Sequence, residues 1–141
     1  MAGINTGRVI AGGLVAGVVA NVIDMTTGYL FMMKDMATNM QRLNLDPHTM
    51  ETLAGAVPWI IIDLIYGLLI VWTYAAIRPR FGPGPKTALY AGLVLYLAVT
   101  VVLFGFHTMG MFPRDLFVKS SMWALVSTAL ASVAGAAVYR E

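Results

Sequence analysis

The chain has 141 residues, no cysteine and a formal net charge of +2; 59% of its residues are hydrophobic and 11% are charged. Soluble domains average about 45–50% and about 25%, so a water-exposed surface of this composition would be sticky throughout. The absence of cysteine excludes disulfides, thiolate metal sites and cysteine nucleophiles. The basic residues are spread over segment ends, which excludes the concentrated basic face that nucleic acid requires.

Several apolar runs reach the roughly 20 residues that a helix needs to cross a hydrocarbon core about 30 Å thick. The predicted fold is an all-α, four-helix transmembrane bundle, a single integral membrane domain over residues 1–141. The expected arrangement is two helical hairpins, with a short amphipathic interfacial helix between the first and second spans.

The first span is predicted over residues 4–33, capped by Asn5 or Thr6. It follows the N-terminus without a clear small-residue cleavage site, so it is expected to be a retained helix rather than a removed signal peptide. Gly13 and Gly17 form a GxxxG pair that admits a close neighbour. Gly13, Gly17, Asn21, Asp24 and Gly28 follow steps of three and four, which puts them on one helix face. Asn21 and Asp24 should thus face other helices, because a carboxylate turned to lipid costs at least about 2.5–3.5 kcal/mol.

Over residues 34–55 the pattern becomes amphipathic, with Met33, Met36, Met40 and Leu43 at helical spacing, as in a helix that lies at the interface or extends the first span out of the membrane. The methionines read as flexible apolar packing rather than as a soft-metal site. Asp46-Pro47 reads as a cap and first helical residue, opening a short helix through Leu53. Pro58 marks a kink or restart, and the second span is predicted over residues 57–77, with Asp63 inside it and Trp59 and Tyr74 as interfacial aromatics.

Next comes a basic, proline-rich stretch with Arg78, Arg80 and Lys86. Its prolines lack amide donors, so residues 78–86 are expected to form a tight turn at a membrane surface rather than helix. The third span is predicted over residues 86–109, ending near His107, and the fourth over residues 114–139. In the fourth, Ala124, Thr128, Ser132 and Ala136 form one small-residue ridge and Ser127, Ala131 and Gly135 another. Gly12-Gly13-Leu14-Val15 in the first span parallels Ala91-Gly92-Leu93-Val94 in the third, as a parallel repeat of two hairpins would.

Basic residues set orientation. Arg8, Arg78, Arg80, Lys86 and Arg140 gather on the N-terminal side, against Lys34, Arg42, Arg114 and Lys119 opposite. With three of the first group in one short turn, both termini are expected in the cytoplasm.

Helix direction brings Asp24, Asp63, His107 and Lys119 to a similar depth, with Asn21 and Tyr66 nearby. Ionisable groups inside a membrane are functional-site candidates. Asp24 and Asp63 would bind a cation or carry a proton, with His107 as a relay near neutral pH. In the competing reading, Asp24 or Asp63 pairs with Lys119 or His107 and fixes helix register. His107 with Met109 and Met111 reads as an interfacial histidine rather than a metal or haem ligand. No HExxH, phosphate loop or nucleophile elbow is present, so the sequence supports neither an enzyme nor a cofactor, metal included.

The segment Tyr74-Ala75-Ala76-Ile77-Arg78-Pro79-Arg80-Phe81-Gly82-Pro83-Gly84-Pro85-Lys86-Thr87-Ala88, the opening Ile4-Asn5-Thr6-Gly7-Arg8-Val9-Ile10-Ala11-Gly12-Gly13-Leu14-Val15-Ala16-Gly17 and the closing Ala134-Gly135-Ala136-Ala137-Val138-Tyr139-Arg140-Glu141 resemble a family of uncharacterised small bacterial inner-membrane proteins. The resemblance implies four helices and a bacterial cytoplasmic-membrane location, and brings no activity with it. The first functional expectation is a structural or accessory membrane protein that packs through Gly13, Gly17, Thr128 and Ser132 as a homo-oligomer or within a larger complex, with the lipid bilayer as its other partner. The alternative is a small proton or cation carrier or channel using the Asp24, Asp63 and His107 region.

Overall fold

The computed structural model describes residues 3–139, and those residues contain helices and no strand. Four helical stretches are long and apolar enough to cross a membrane. The first begins as α1 (Thr6–Thr27), where Asn5 accepts the Arg8 N–H at 3.1 Å. It passes through a five-residue π-helical segment (Gly28–Met32) into α2 (Met33–Arg42) without a break, a continuous helix of 37 residues. The expected boundary near residue 33 is thus a change of helical phase and not an end. A π-turn inserts one extra residue into the helix and rotates the turns beyond it. The helix stops at Asn44, whose φ of 57° is left-handed.

Asp46 caps a 3-10 turn (Pro47–Glu51), and Thr52 then caps α3 (Leu53–Phe81) through the Gly55 N–H. This helix is longer than the predicted 57–77 at both ends. Pro58 sits in its second turn and removes one backbone bond without ending it. Pro79 does the same in the last turns, so Arg78 and Arg80 are helical. This corrects the expected 78–86 turn: a proline near a helix C-terminus forfeits one donor, and the Gly82 N–H still closes the helix on the Arg78 carbonyl at 2.8 Å. The turn is confined to residues 82–84, where Gly82 and Gly84 have φ of 81° and 132°. Thr87 Oγ1 donates to the Gly82 carbonyl at 2.7 Å and fixes the start of α4 (Pro85–Thr108). Gly110, with φ of 78°, turns the chain before α5 (Arg114–Val138).

The interior is built from small side chains. Ala16, Ala20, Ala88, Ala91, Ala131 and Ser132 are buried, with Ile70 and Val71 among the few large groups. α1 packs on α3 and α5, and α4 packs on α5 and α3. A Cβ on Gly13 would lie 2.7 Å from Leu68 Cα, and one on Gly17 2.7 Å from Leu64 Cα. On the α5 side, a Cβ on Gly12 would lie 2.7 Å from the Gly135 carbonyl oxygen. Ser132 packs against Gly92, and Thr128 is buried. Such backbone-to-backbone approach drives helix association where lipid is as apolar as leucine. The large apolar residues, Val18, Val22, Leu97, Val101 and Val102 among them, point outward.

One end of the bundle joins the start of α1, the 82–84 turn and the end of α5. The Asn5 N–H reaches the Tyr139 hydroxyl at 3.4 Å, Tyr74 meets Tyr139 edge to face, and the Tyr74 hydroxyl accepts the Gly84 N–H at 3.1 Å. Arg8, Arg78, Arg80 and Lys86 belong to this end; Arg140 lies outside the described residues. At the opposite end Arg42 donates to the Gly110 and Met111 carbonyls, and Asn39 to that of Met111.

Candidate functional site

The site lies in the seam of α1, α3 and α5. The antiparallel α1 and α3 meet with Gly17 against Leu64 and Asn21 against Ile60. At about 1.5 Å per residue, Asp24 lies about 4.5 Å to one side of the Asn21–Ile60 level and Asp63 about 4.5 Å to the other. The glycines explain how the seam closes: Gly17 lets the α1 backbone lie against α3 at Leu64 and the Asp63 carbonyl. Asn21, one turn along α1, then reaches across and donates from Nδ2 to the Ile60 carbonyl at 3.2 Å, as well as to its own Gly17 carbonyl at 3.1 Å.

One turn beyond Asn21 along α1 stands Asp24, and one turn beyond Ile60 along the antiparallel α3 stands Asp63, on the other side of the Asn21–Ile60 level. Both carboxyls are half-buried. They are near enough for the charge of Asp24 to act on Asp63 and on Tyr66. From α5, the Ser127 side chain stands beside Asp24. The Tyr66 hydroxyl is 3.2 Å from Thr128 Oγ1, tying α3 to α5 beside the pair. Asn21 is 9% exposed, and its Oδ1 is buried with no hydrogen-bond partner.

The four predicted residues Asn21, Asp24, Asp63 and Tyr66 therefore share one seam, and Ser127 and Thr128 join them. Two predicted members lie elsewhere. Lys119 pairs with Asp35, which the continuing first helix carries past the π-turn to the opening turns of α5. His107 Nδ1 is 2.7 Å from the Phe112 carbonyl, and its ring stacks on Phe117 at 5.4 Å and 12°. Each is held by a local partner. Among the described residues no cation pairs with Asp24 or Asp63, so the register-fixing ion pair is not how these carboxyls are satisfied.

Thr128 is readable from the sequence as a packing residue only, and Ser127 as part of a small-residue ridge. Helical spacing on α5 places both near the seam, yet nothing in one sequence says which α1 residue they meet. No group of three or more His, Asp or Glu that could hold a metal ion occurs among the described residues. No nucleophile and base meet at the seam. What it offers is a pair of carboxyls with neutral oxygens around them, inside the apolar part of the molecule. No family model, curated protein or solved structure matches the chain.

Proposed function

We propose that this protein carries a proton or a small cation across a bacterial cytoplasmic membrane, using Asp24 and Asp63 as the binding groups. One observation carries the reading: two carboxyls from different helices stand along one membrane-spanning seam without a basic partner among the described residues. Uncompensated charge in that setting is costly. A carboxylate pair kept there is best accounted for by a positive species that comes and goes. The buried Asn21 and the Tyr66–Thr128 contact add neutral polar groups along the same seam.

In this reading the four spans form two hairpins, with both termini and the 82–84 turn in the cytoplasm. Arg8, Arg78, Arg80 and Lys86 at one end support that orientation. The segment from α2 through the 3-10 turn lies at the outer interface, and the site opens toward that side. Self-association as the main role loses its support, because Gly13, Gly17, Thr128 and Ser132 are engaged in contacts within one chain.

The test is flux in liposomes holding the purified protein and a pH-sensitive dye, under an imposed membrane potential. Wild type should dissipate the gradient. Asp63→Asn and Asp24→Asn should each abolish the flux while eluting as folded protein. Equal flux from wild type and both variants would refute the proposal.

A further inference from the structure

One end of the bundle carries charge of a single sign. Among the described residues it holds Arg8, Arg78, Arg80 and Lys86 and no carboxylate, whereas the opposite end sets Lys34, Arg42, Arg114 and Lys119 against Asp35, Asp46, Glu51 and Asp115. We infer that the rim formed by Arg8, Arg80 and Lys86, with the Phe81 and Tyr90 rings beside Lys86, binds the headgroup of an anionic phospholipid, whatever the carboxyl pair carries.

Printed contacts tie the four helix ends together at this level. The Tyr139 hydroxyl, just past α5, accepts the Asn5 N–H from the start of α1 at 3.4 Å. The Tyr139 ring meets Tyr74 edge to face with centroids 6.0 Å apart, and the Arg78 guanidinium of α3 stands 5.7 Å over it. The Tyr74 hydroxyl accepts the Gly84 N–H at 3.1 Å, which fixes the start of α4. Each rim cation follows one of these fixed points by two or three residues: Arg8 after Asn5, Arg80 after Arg78 and Lys86 after Gly84. The Arg8 N–H is itself held by Asn5 Oδ1 at 3.1 Å. Arg8, Arg80 and Lys86 are exposed, and none has a carboxylate partner among the described residues. Arg78 is turned onto Tyr139 and belongs to the frame.

The rings beside Lys86 select a lipid over a soluble anion. Lys86 Nζ lies 5.9 Å from the centroid of Tyr90, and Phe81 meets the same ring with centroids 5.9 Å apart. Phe81 and Tyr90 are 57% and 41% exposed. Tyr90 stands one turn of α4 further into the bundle than Lys86, so the ammonium is on the headgroup side of it. Exposed aromatic rings settle at the boundary between headgroups and acyl chains. A lysine stem runs along apolar surface and places its charge among the headgroups. Free phosphate would use the cations and leave the rings idle, and an acidic protein reaching the rim from the aqueous side would do the same. A diacyl phospholipid uses both, its phosphate at the cations and its chains along the rings. Each basic residue at an anionic membrane surface adds about fivefold to binding, the equivalent of about 1 kcal/mol.

The experiment uses the full chain in a neutral detergent. Thermal unfolding is followed by tryptophan fluorescence as one of three probes is added: phosphatidylglycerol, phosphatidylcholine with the same chains, or glycerol phosphate without chains. Phosphatidylglycerol should raise the midpoint saturably, and neither of the others should do so at the same concentration. Arg80→Gln and Lys86→Gln should each raise the half-saturating mole fraction of phosphatidylglycerol about fivefold, and Lys34→Gln at the opposite end should leave it unchanged. All three side chains are exposed, so the lipid-free midpoints should match wild type. Equal stabilisation by phosphatidylcholine would mean that the headgroup is not selected. Equal stabilisation by glycerol phosphate would mean a soluble anion. An unchanged half-saturation in both Arg80→Gln and Lys86→Gln, or an equal loss in Lys34→Gln, would mean diffuse attraction rather than this rim. No effect of any probe is what a surface kept for an acidic protein would give. Each of these outcomes overturns the inference, and none touches the liposome flux on which the carrier reading stands or falls.

Discussion

Gly17→Ala is the sharpest probe of how the seam is built. The new Cβ would lie 2.7 Å from Leu64 Cα and 2.9 Å from the Asp63 carbonyl oxygen. Carbon atoms pack at about 3.5–4.0 Å, so α1 must withdraw from α3 by about 1 Å. The obstacle is backbone and cannot swing aside. Overpacking of this kind costs about 1–3 kcal/mol. Against it stands the gain in helix propensity from glycine to alanine, about 1 kcal/mol. Gly105→Ala in α4 is the matched control, since a Cβ there meets nothing within 4 Å. Both variants share the propensity gain, so it cancels, and the difference between them isolates the packing cost. Reversible unfolding in mixed micelles, read by tryptophan fluorescence, should place Gly17→Ala about 1–3 kcal/mol below Gly105→Ala. Equal stabilities would refute the close approach of α1 and α3 and, with it, the placement of Asn21 against the α3 backbone.

Two further outcomes separate the site from the groups around it. His107→Phe keeps the stack on Phe117 and loses the bond to the Phe112 carbonyl; it should lower stability by about 0.5–1.5 kcal/mol and leave liposome flux unchanged. A flux defect in the folded variant would return His107 to the site. Lys119→Met removes an exposed pair with Asp35; surface ion pairs contribute little, so unfolding and flux should both match wild type. Loss of flux would mean that Lys119 reaches Asp24 or Asp63 after all.

The sequence carried the architecture because lipid imposes so few solutions. Runs of about 20 apolar residues must be helical there, and four such runs became α1, α3, α4 and α5. The glycine stripe of α1 and the small ridges of α5 were legible too, since close approach needs residues without bulk. What they approach was not: Gly13 and Gly17 seat on Leu68 and Leu64, while Gly12, outside the stripe, meets Gly135. Element ends were the least legible. Proline reads as a breaker, yet Pro58 and Pro79 each remove a single backbone bond near an end of a 29-residue helix, which the remaining bonds outweigh.

The polar residues divide along the same line. Asn21, Asp24, Asp63 and Tyr66 lie well inside the spans, so helix direction alone places them in one half of the bundle, whereas the register that sets Asp24 and Asp63 on opposite sides of the Asn21–Ile60 level could not be read from span boundaries. His107 and Lys119 stand near helix ends, where depth alone is a poor guide. A group at an end competes for loop carbonyls and for whatever the neighbouring segment delivers. The Phe112 carbonyl arrives five residues after His107, and Asp35 arrives because the first helix runs on through a π-turn that no spacing rule announces. That unannounced turn has a consequence for the pair in the seam. By bringing Asp35 to Lys119, it occupies the one lysine near the start of α5 and leaves Asp24 and Asp63 without a fixed counter-ion among the described residues, the condition that a site for an exchangeable ion requires.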